Sequence, residues 1–327
     1  MTSITFSQKT SLTGRNKVPL ARRLIRIAFR LAGRRRAHWY AAFPHLVLEP
    51  PRYPAAIGSL RHAGRPLARL LPLSTLREQA ANALFVIGSG PSIRDHDLTL
   101  LPERSCLLLN GAIALAGCTI MRPLAVVIED ERFVWRHFEL MRAKIDTDML
   151  CILSVGVLRA LCEKDPVWVA ERRIILLDDI RKPYRTARRC ANAFGRLDHV
   201  VFDTETDTGI SLDPEKGVFQ AGSVAVSALQ FALACNPESI GLFGIEIVNA
   251  DQPRFYERAG DTAKSGIVAA RERIVASVRM FRQICTMRGI RLSNHSSAQS
   301  ALTECGLDYD PRYLPACPQD ALTQRAG

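Results

Sequence analysis

Residues 84–92 read LFVIGSGPS. An uninterrupted apolar run that ends in two glycines, a proline and a serine is the pattern of a strand buried on both faces, followed by a tight turn. The unit recurs downstream as CLLLN (106–110), LAVVIE (124–129), MLCILS (149–154), RIILLD (173–178), IGLFGIE (240–246) and IRLS (290–293). Between these runs, the apolar periodicity predicts helices over 131–144, 156–164, 223–235 and 267–288. Buried strands alternating with helices predict an α/β fold built on a mostly parallel, Rossmann-like sheet. Residues 181–221, rich in charge and turn residues, are expected to form a lid or small subdomain.

Composition narrows the classes. The chain has 327 residues, 47% hydrophobic and 23% charged, with a mean hydropathy of +0.02. That suffices for a proper core and excludes a disordered or collagen-like chain. No stretch of about 18 uncharged apolar residues offers a spanning helix. The net charge of +12 is concentrated at one end: residues 1–80 carry fifteen Lys and Arg against Glu49 and Glu78, and the remainder sums to −1. The expected organisation is a basic N-terminal extension over 1–80, an α/β domain over 81–310 and a tail over 311–327. Within the extension, the prolines between 44 and 72 suggest an irregular linker. Nine cysteines lie mostly in apolar runs, with no CxxC pair. They read as small hydrophobes of a reduced, cytoplasmic chain, without a disulfide framework or a metal site.

Residues 18–36, VPLARRLIRIAFRLAGRRR, put Leu20, Leu24, Ile27 and Leu31 on one helical face and arginines on the others. Such a helix suits an anionic membrane surface. The alternatives are a helix packing its Leu/Ile face on the body and a basic nucleic-acid arm. No recognition motif accompanies an arm, so nucleic acid is not an expected partner.

Chemistry is expected at the carboxyl ends of the strands, where open α/β sheets bind ligands. Gly88, Ser89, Gly90, Pro91 and Ser92 could turn backbone amides toward a phosphate, or form a plain tight turn. The dinucleotide fingerprint is broken by Ile93, and no P-loop lysine follows. Asn110 ends the next strand and could hold a base or ribose, or simply start an Asn-Gly turn. Glu129, Asp130 and Arg132 follow the third strand. Acids there could orient a sugar hydroxyl or act as a base, while Asp130 also suits a helix N-cap. Gly222 and Ser223 precede an apolar helix as a second anion-binding cap. Glu246 ends another strand, with Arg254 and Tyr256 downstream as a cation and an aromatic for a sugar. Asn294 and His295 end the last strand, where His295 is a general base, a phosphate donor or a structural residue.

Five blocks occur in order: VIGSGPS, LLLNGAIALAG, RPLAVVIEDERFVWRHFELM, GSVAVSALQFALACNPESIGLFGIEI with PRFYE after it, and IRLSNHSS. Together they resemble the lipopolysaccharide core biosynthesis family WaaZ (also RfaZ) over about residues 84–297. The GxGPS turn, the Asn after the second strand and the Gly-x-acid strand end are also similar to CMP-sugar sialyltransferases and, more broadly, to archaeal pterin diphosphokinases. The resemblance implies a sialyltransferase-like GT-A variant and the transfer of 3-deoxy-manno-octulosonic acid (Kdo) from CMP-Kdo to an inner-core acceptor. It implies a chain peripheral to the inner membrane, with a CMP-sugar donor, a lipid-linked acceptor, no separate cofactor and no metal. Gly88–Ser92, Asn110, Gly222 and Ser223 would bind the nucleotide; Asp130, Glu246 or His295 would act as the base; Glu129, Arg132, Arg254, Tyr256 and Asn294 would hold substrate. The sequence departs from the pattern at Glu129, at Glu246 and in its N-terminal 80 residues. A Mg-dependent pyrophosphokinase and a silent nucleotide-binding assembly protein remain the competing readings.

Overall fold

The structure is a computed structural model that describes residues 18–51, 56–246, 255, 267–297 and 300–315. Its strands are β1 (Leu46–Glu49), β2 (Gly58–His62), β3 (Arg65–Leu70), β4 (Ala83–Ile87), β5 (Cys106–Leu109), β6 (Ala125–Ile128), β7 (Leu150–Ser154) and β8 (Arg173–Leu177), then β9 (Val200–Asp203), β10 (Thr208–Ser211), β11 (Ser239–Phe243) and β12 (Arg291–Asn294). The helices are α1 (Leu20–Leu31), α2 (Ser74–Gln79), α3 (Glu131–Lys144), α4 (Val155–Lys164), α5 (Pro166–Ala170), α6 (Val224–Ala234), α7 (Ile267–Met287) and α8 (Ala301–Glu304).

Ten strands form one sheet in the order β1-β2-β3-β8-β7-β6-β5-β4-β11-β12, parallel from β3 through β12. The apolar runs are unbroken because both faces of this sheet are covered. Leu84 and Val86 of β4 join the core beneath α6 and α7, whereas Phe85 and Ile87 join the core beneath α3, α4 and α5. The alternation repeats in β5, β6 and β7, and the central strands are fully buried. From β4 the chain steps outward through β5 to β8, then returns so that β11 lies on the other side of β4. That reversal at β4/β11 is the topological switch of a doubly wound sheet.

Two expectations change. Residues 44–72 are not an irregular linker: β1, β2 and β3 extend the sheet as an antiparallel meander, and Leu70 pairs in parallel with Ile174 of β8. The sheet therefore runs across the boundary expected at residue 80. Pro66 sits opposite Arg61, next to a register shift in the β2–β3 ladder, where a missing amide donor is tolerated. Within 181–221, β9 and β10 form a two-stranded sheet separate from the main one, while Ile210 and Val218 join the main core. The β9–β10 hairpin packs Phe202 against Phe194 and Phe219, and the Arg181 guanidinium lies 5.2–5.5 Å from all three rings. The eight described cysteines are free, and burial pushes the thiols of Cys106, Cys151, Cys162, Cys235 and Cys285 up to about 12.

Candidate functional site

The carboxyl ends of β5 to β8, the start of α6, and a roof made by α1 with residues 37–41 enclose a cavity of about 780 Å³. That volume falls in the range of small-ligand sites. The roof is pinned by hydrogen bonds: His38 Nε2 lies 3.1 Å from the carbonyls of both Pro183 and Thr186, and Trp39 Nε1 donates to Thr186 O at 2.9 Å. Arg159, fully buried, donates to Ala41 O at 3.0 Å, pairs with Glu131 and reaches Glu163 at 2.6 Å.

Glu129 closes the floor. It ends β6, and its carboxylate accepts the Ser227 hydroxyl of α6 at 2.6 Å. Burial, with Asp179 and Asp130 adding negative charge, pushes its carboxyl up to about 7, against the pull of Ser227 and Lys182. Asp178, at the end of β8, is likewise raised to about 7 by burial, although the Tyr184 and Asp179 amides donate to it. The other acids of this edge are engaged. Asp130 caps α3 through the Arg132 amide at 2.9 Å and holds the Arg132 guanidinium at 2.6 Å. Asp179 lies 3.5 Å from Lys182. Among the described residues no three His, Cys, Asp or Glu side chains are grouped as a metal site would require.

Asn110, Gly222 and Ser223 meet at the same cavity. Asn110 adopts a left-handed backbone (φ 46°), and among the described residues its Oδ1 has no hydrogen-bond partner. That oxygen is buried, and the residue lines the cavity through the rest of its surface. Ser223 caps α6 by accepting from Ala225 N at 3.3 Å, so the amino end of an eleven-residue helix opens on the cavity. Gly222 has φ 96°, and a Cβ there would stand 2.5 Å from the Ala270 methyl, so the approach to that helix end requires glycine.

The GSGPS turn does something else. Gly88 N donates to Phe243 O at 2.7 Å, Gly90 N to Gly244 O at 3.0 Å and Ser92 N to a Glu246 carboxylate oxygen at 3.1 Å. Three donors expected to face a phosphate are thus spent on the end of β11, and the glycines are needed because the Gly244 carbonyl and the Glu246 carboxylate occupy the space of a Cβ. Residues 88–92 do not line the cavity. Burial raises the Glu246 carboxyl, and its second oxygen lacks a partner among the described residues.

His295 is corrected from candidate base to core residue. It is 2% exposed, stacks on Phe243 with ring centroids 4.7 Å apart, and bonds through Nδ1 to Asp310 O at 2.8 Å. Burial lowers its basicity. Asn294, fully buried, spends its amide on Ser297 O and Ser296 N, so it holds a turn instead of substrate. Arg254 and Tyr256 lie outside the described residues.

What the sequence reading did not find is the basic rim. Arg26, Arg30, Arg34 and Arg188 line the cavity, and among the described residues none is paired with a carboxylate. Their contribution depends on the roof, which no local motif announces.

No family model and no curated protein matches the chain. Among solved structures it is similar to the sialyltransferase CstII from Campylobacter jejuni, determined with the substrate analogue CMP-3FNeuAc. The two are 12% identical, the match covers 72% of this chain and 88% of that one, and the TM-score is 0.36. At that level the likeness assigns no residue.

Proposed function

We propose that the chain is a glycosyltransferase that takes a sugar from a CMP-sugar donor and passes it to an acceptor hydroxyl. The observation that carries this reading is Glu129: a carboxyl held near neutrality in the same cavity as Asn110 and the amino end of α6. Glu129 in its ionised form takes the proton of the acceptor hydroxyl. The hydroxyl oxygen bonds to the anomeric carbon as the bond from that carbon to the phosphate oxygen breaks, and CMP leaves with the electron pair. The amino end of α6 and the arginine rim face the charge that grows on the leaving phosphate. Asn110, which lines the cavity, offers its side-chain amide to the base or ribose of the nucleotide.

The five blocks that resemble the WaaZ family supply the finer reading: Kdo as the sugar, a lipid-linked inner-core saccharide as the acceptor, and a site of action peripheral to the inner membrane. Pyrophosphoryl transfer is less well served, because Asp130, Glu131 and Asp179 are already engaged by Arg132, Arg159 and Lys182.

Calorimetric titration with CMP, UMP, AMP and ADP in EDTA tests the proposal. CMP is expected to bind one to one with a Kd on the order of micromolar, and Asn110→Ala to weaken it about tenfold or more. Binding of adenine nucleotides alone, and only after magnesium is restored, would overturn it in favour of the kinase.

A further inference from the structure

Helix α1 is built inside out for a surface helix. Leu20, Leu24, Ile27 and Leu31 fall within an arc of about 60° at ~100° per residue, and they are 69%, 58%, 51% and 84% exposed. An amphipathic helix on a soluble body ordinarily turns such a stripe inward. Here the inward residue is Arg22, 5% exposed, whose guanidinium donates to Phe43 O at 2.5 Å and Tyr40 O at 2.7 Å. Phe29 packs on Phe43 with ring centroids 5.4 Å apart. These contacts fix the rotation of the helix. The flank carrying Arg26 and Arg30 lines the cavity, with Arg34 just beyond the helix end.

We propose that α1 seats the protein on an anionic bilayer through Leu20, Leu24, Ile27 and Leu31, and thereby holds the cavity mouth, with Arg26, Arg30 and Arg34, against phosphate-bearing lipid headgroups. Charge selects this occupant. Residues 18–36 carry seven arginines and no acid, so two copies meeting through this face would repel, whereas an anionic leaflet would be attracted by every one of them. No helix among the described residues is long and apolar enough to cross a membrane, so the seating is at the interface. The seating rests on the exposed stripe and the charge of residues 18–36; that the headgroup entering the cavity is an acceptor rests on the glycosyltransferase reading.

The test is flotation of the full chain with phosphatidylglycerol-containing vesicles and with phosphatidylcholine vesicles. Binding to the anionic vesicles is expected, falling about tenfold or more in Leu24→Gln/Ile27→Gln and about tenfold in Arg26→Gln/Arg30→Gln. The first pair is solvent-exposed, so its fold and CMP titration should match the wild type. Absence of wild-type binding, or equal binding by the Leu24→Gln/Ile27→Gln variant, would overturn the seating. So would a wild-type dimer that this variant abolishes, because the stripe would then be a contact between copies. Retained binding in Arg26→Gln/Arg30→Gln would overturn the headgroup contact. Failure of CMP binding with vesicle binding intact would count against the glycosyltransferase alone.

Discussion

Glu129→Gln is expected to cut sugar transfer by about 10²- to 10⁴-fold, the usual worth of a positioned general base, while making the protein more stable at pH 8. Both effects follow from the same burial. A carboxyl with an ordinary value of 4.5 that is held at about 7 in the fold keeps its proton more tightly when folded than when unfolded. Its contribution to stability is therefore fully present below about 4.5 and is lost as the pH rises through 7. The penalty at pH 8 is on the order of 3 kcal/mol, at about 1.4 kcal/mol per pKa unit. Glutamine carries no such penalty, and its oxygen can still accept the Ser227 hydroxyl. Melting curves should thus separate the two proteins at pH 8, with the variant higher by about 5 °C, and bring them together near pH 4.5. Wild-type activity should rise with pH through about 7 as the base ionises. Equal melting at pH 8, or transfer retained by the variant, would remove Glu129 from the role assigned to it.

Arg159→Met is expected to destabilise the fold by about 3–5 kcal/mol, the cost of removing one partner from a buried ionic cluster. The guanidinium is fully buried and binds Glu131, Glu163 and the Ala41 carbonyl. Its loss leaves Glu131 and Glu163, with side chains only 16% and 26% exposed, without the cation between them. It also unties the 37–41 segment that roofs the cavity. The double variant Glu131→Gln/Arg159→Met should regain much of the loss, since Glu163 still faces the Arg22 guanidinium at 3.9 Å and Glu131 no longer carries a charge. Urea unfolding of the single and double variants checks this. A single variant within about 1 kcal/mol of the wild type would mean that the cluster is not holding the roof.

The parallel sheet was legible because a strand covered on both faces leaves an unbroken apolar run, and each of the seven runs became a strand within three residues of its expected bounds. Helix α3 was legible from its Asp130 cap and its periodicity. The meander β1–β3 was not: its strands are short, they lie between prolines, and Leu46, Leu48, Leu60 and Leu70 are too sparse to outweigh those breakers. At the site, Asn110, Glu129, Asp130, Arg132, Gly222 and Ser223 were found because strand and helix ends converge by topology. The GSGPS turn misled because glycines needed for close strand packing look the same in sequence as glycines that cradle an anion. His295 misled because a strand-end histidine gives no local sign of the Phe243 and Tyr313 rings around it. The arginine rim joins the cavity through roof contacts more than a hundred residues apart, such as His38 to Pro183, beyond the reach of spacing. Asp178 ends the expected strand 173–178 and so stood at the edge where chemistry was expected, although no residue was singled out there.

Transfer of a sugar from a CMP-sugar to a lipid-linked acceptor is tested by incubating the full chain with CMP-Kdo and a Kdo–lipid A acceptor in anionic vesicles, following lipid mass and nucleotide together. An acceptor heavier by one Kdo residue and CMP released in equal amount are expected, with both lost in Glu129→Gln. CMP-Kdo left intact, with the acceptor unchanged and the chain seated on the vesicles and binding CMP, would contradict it.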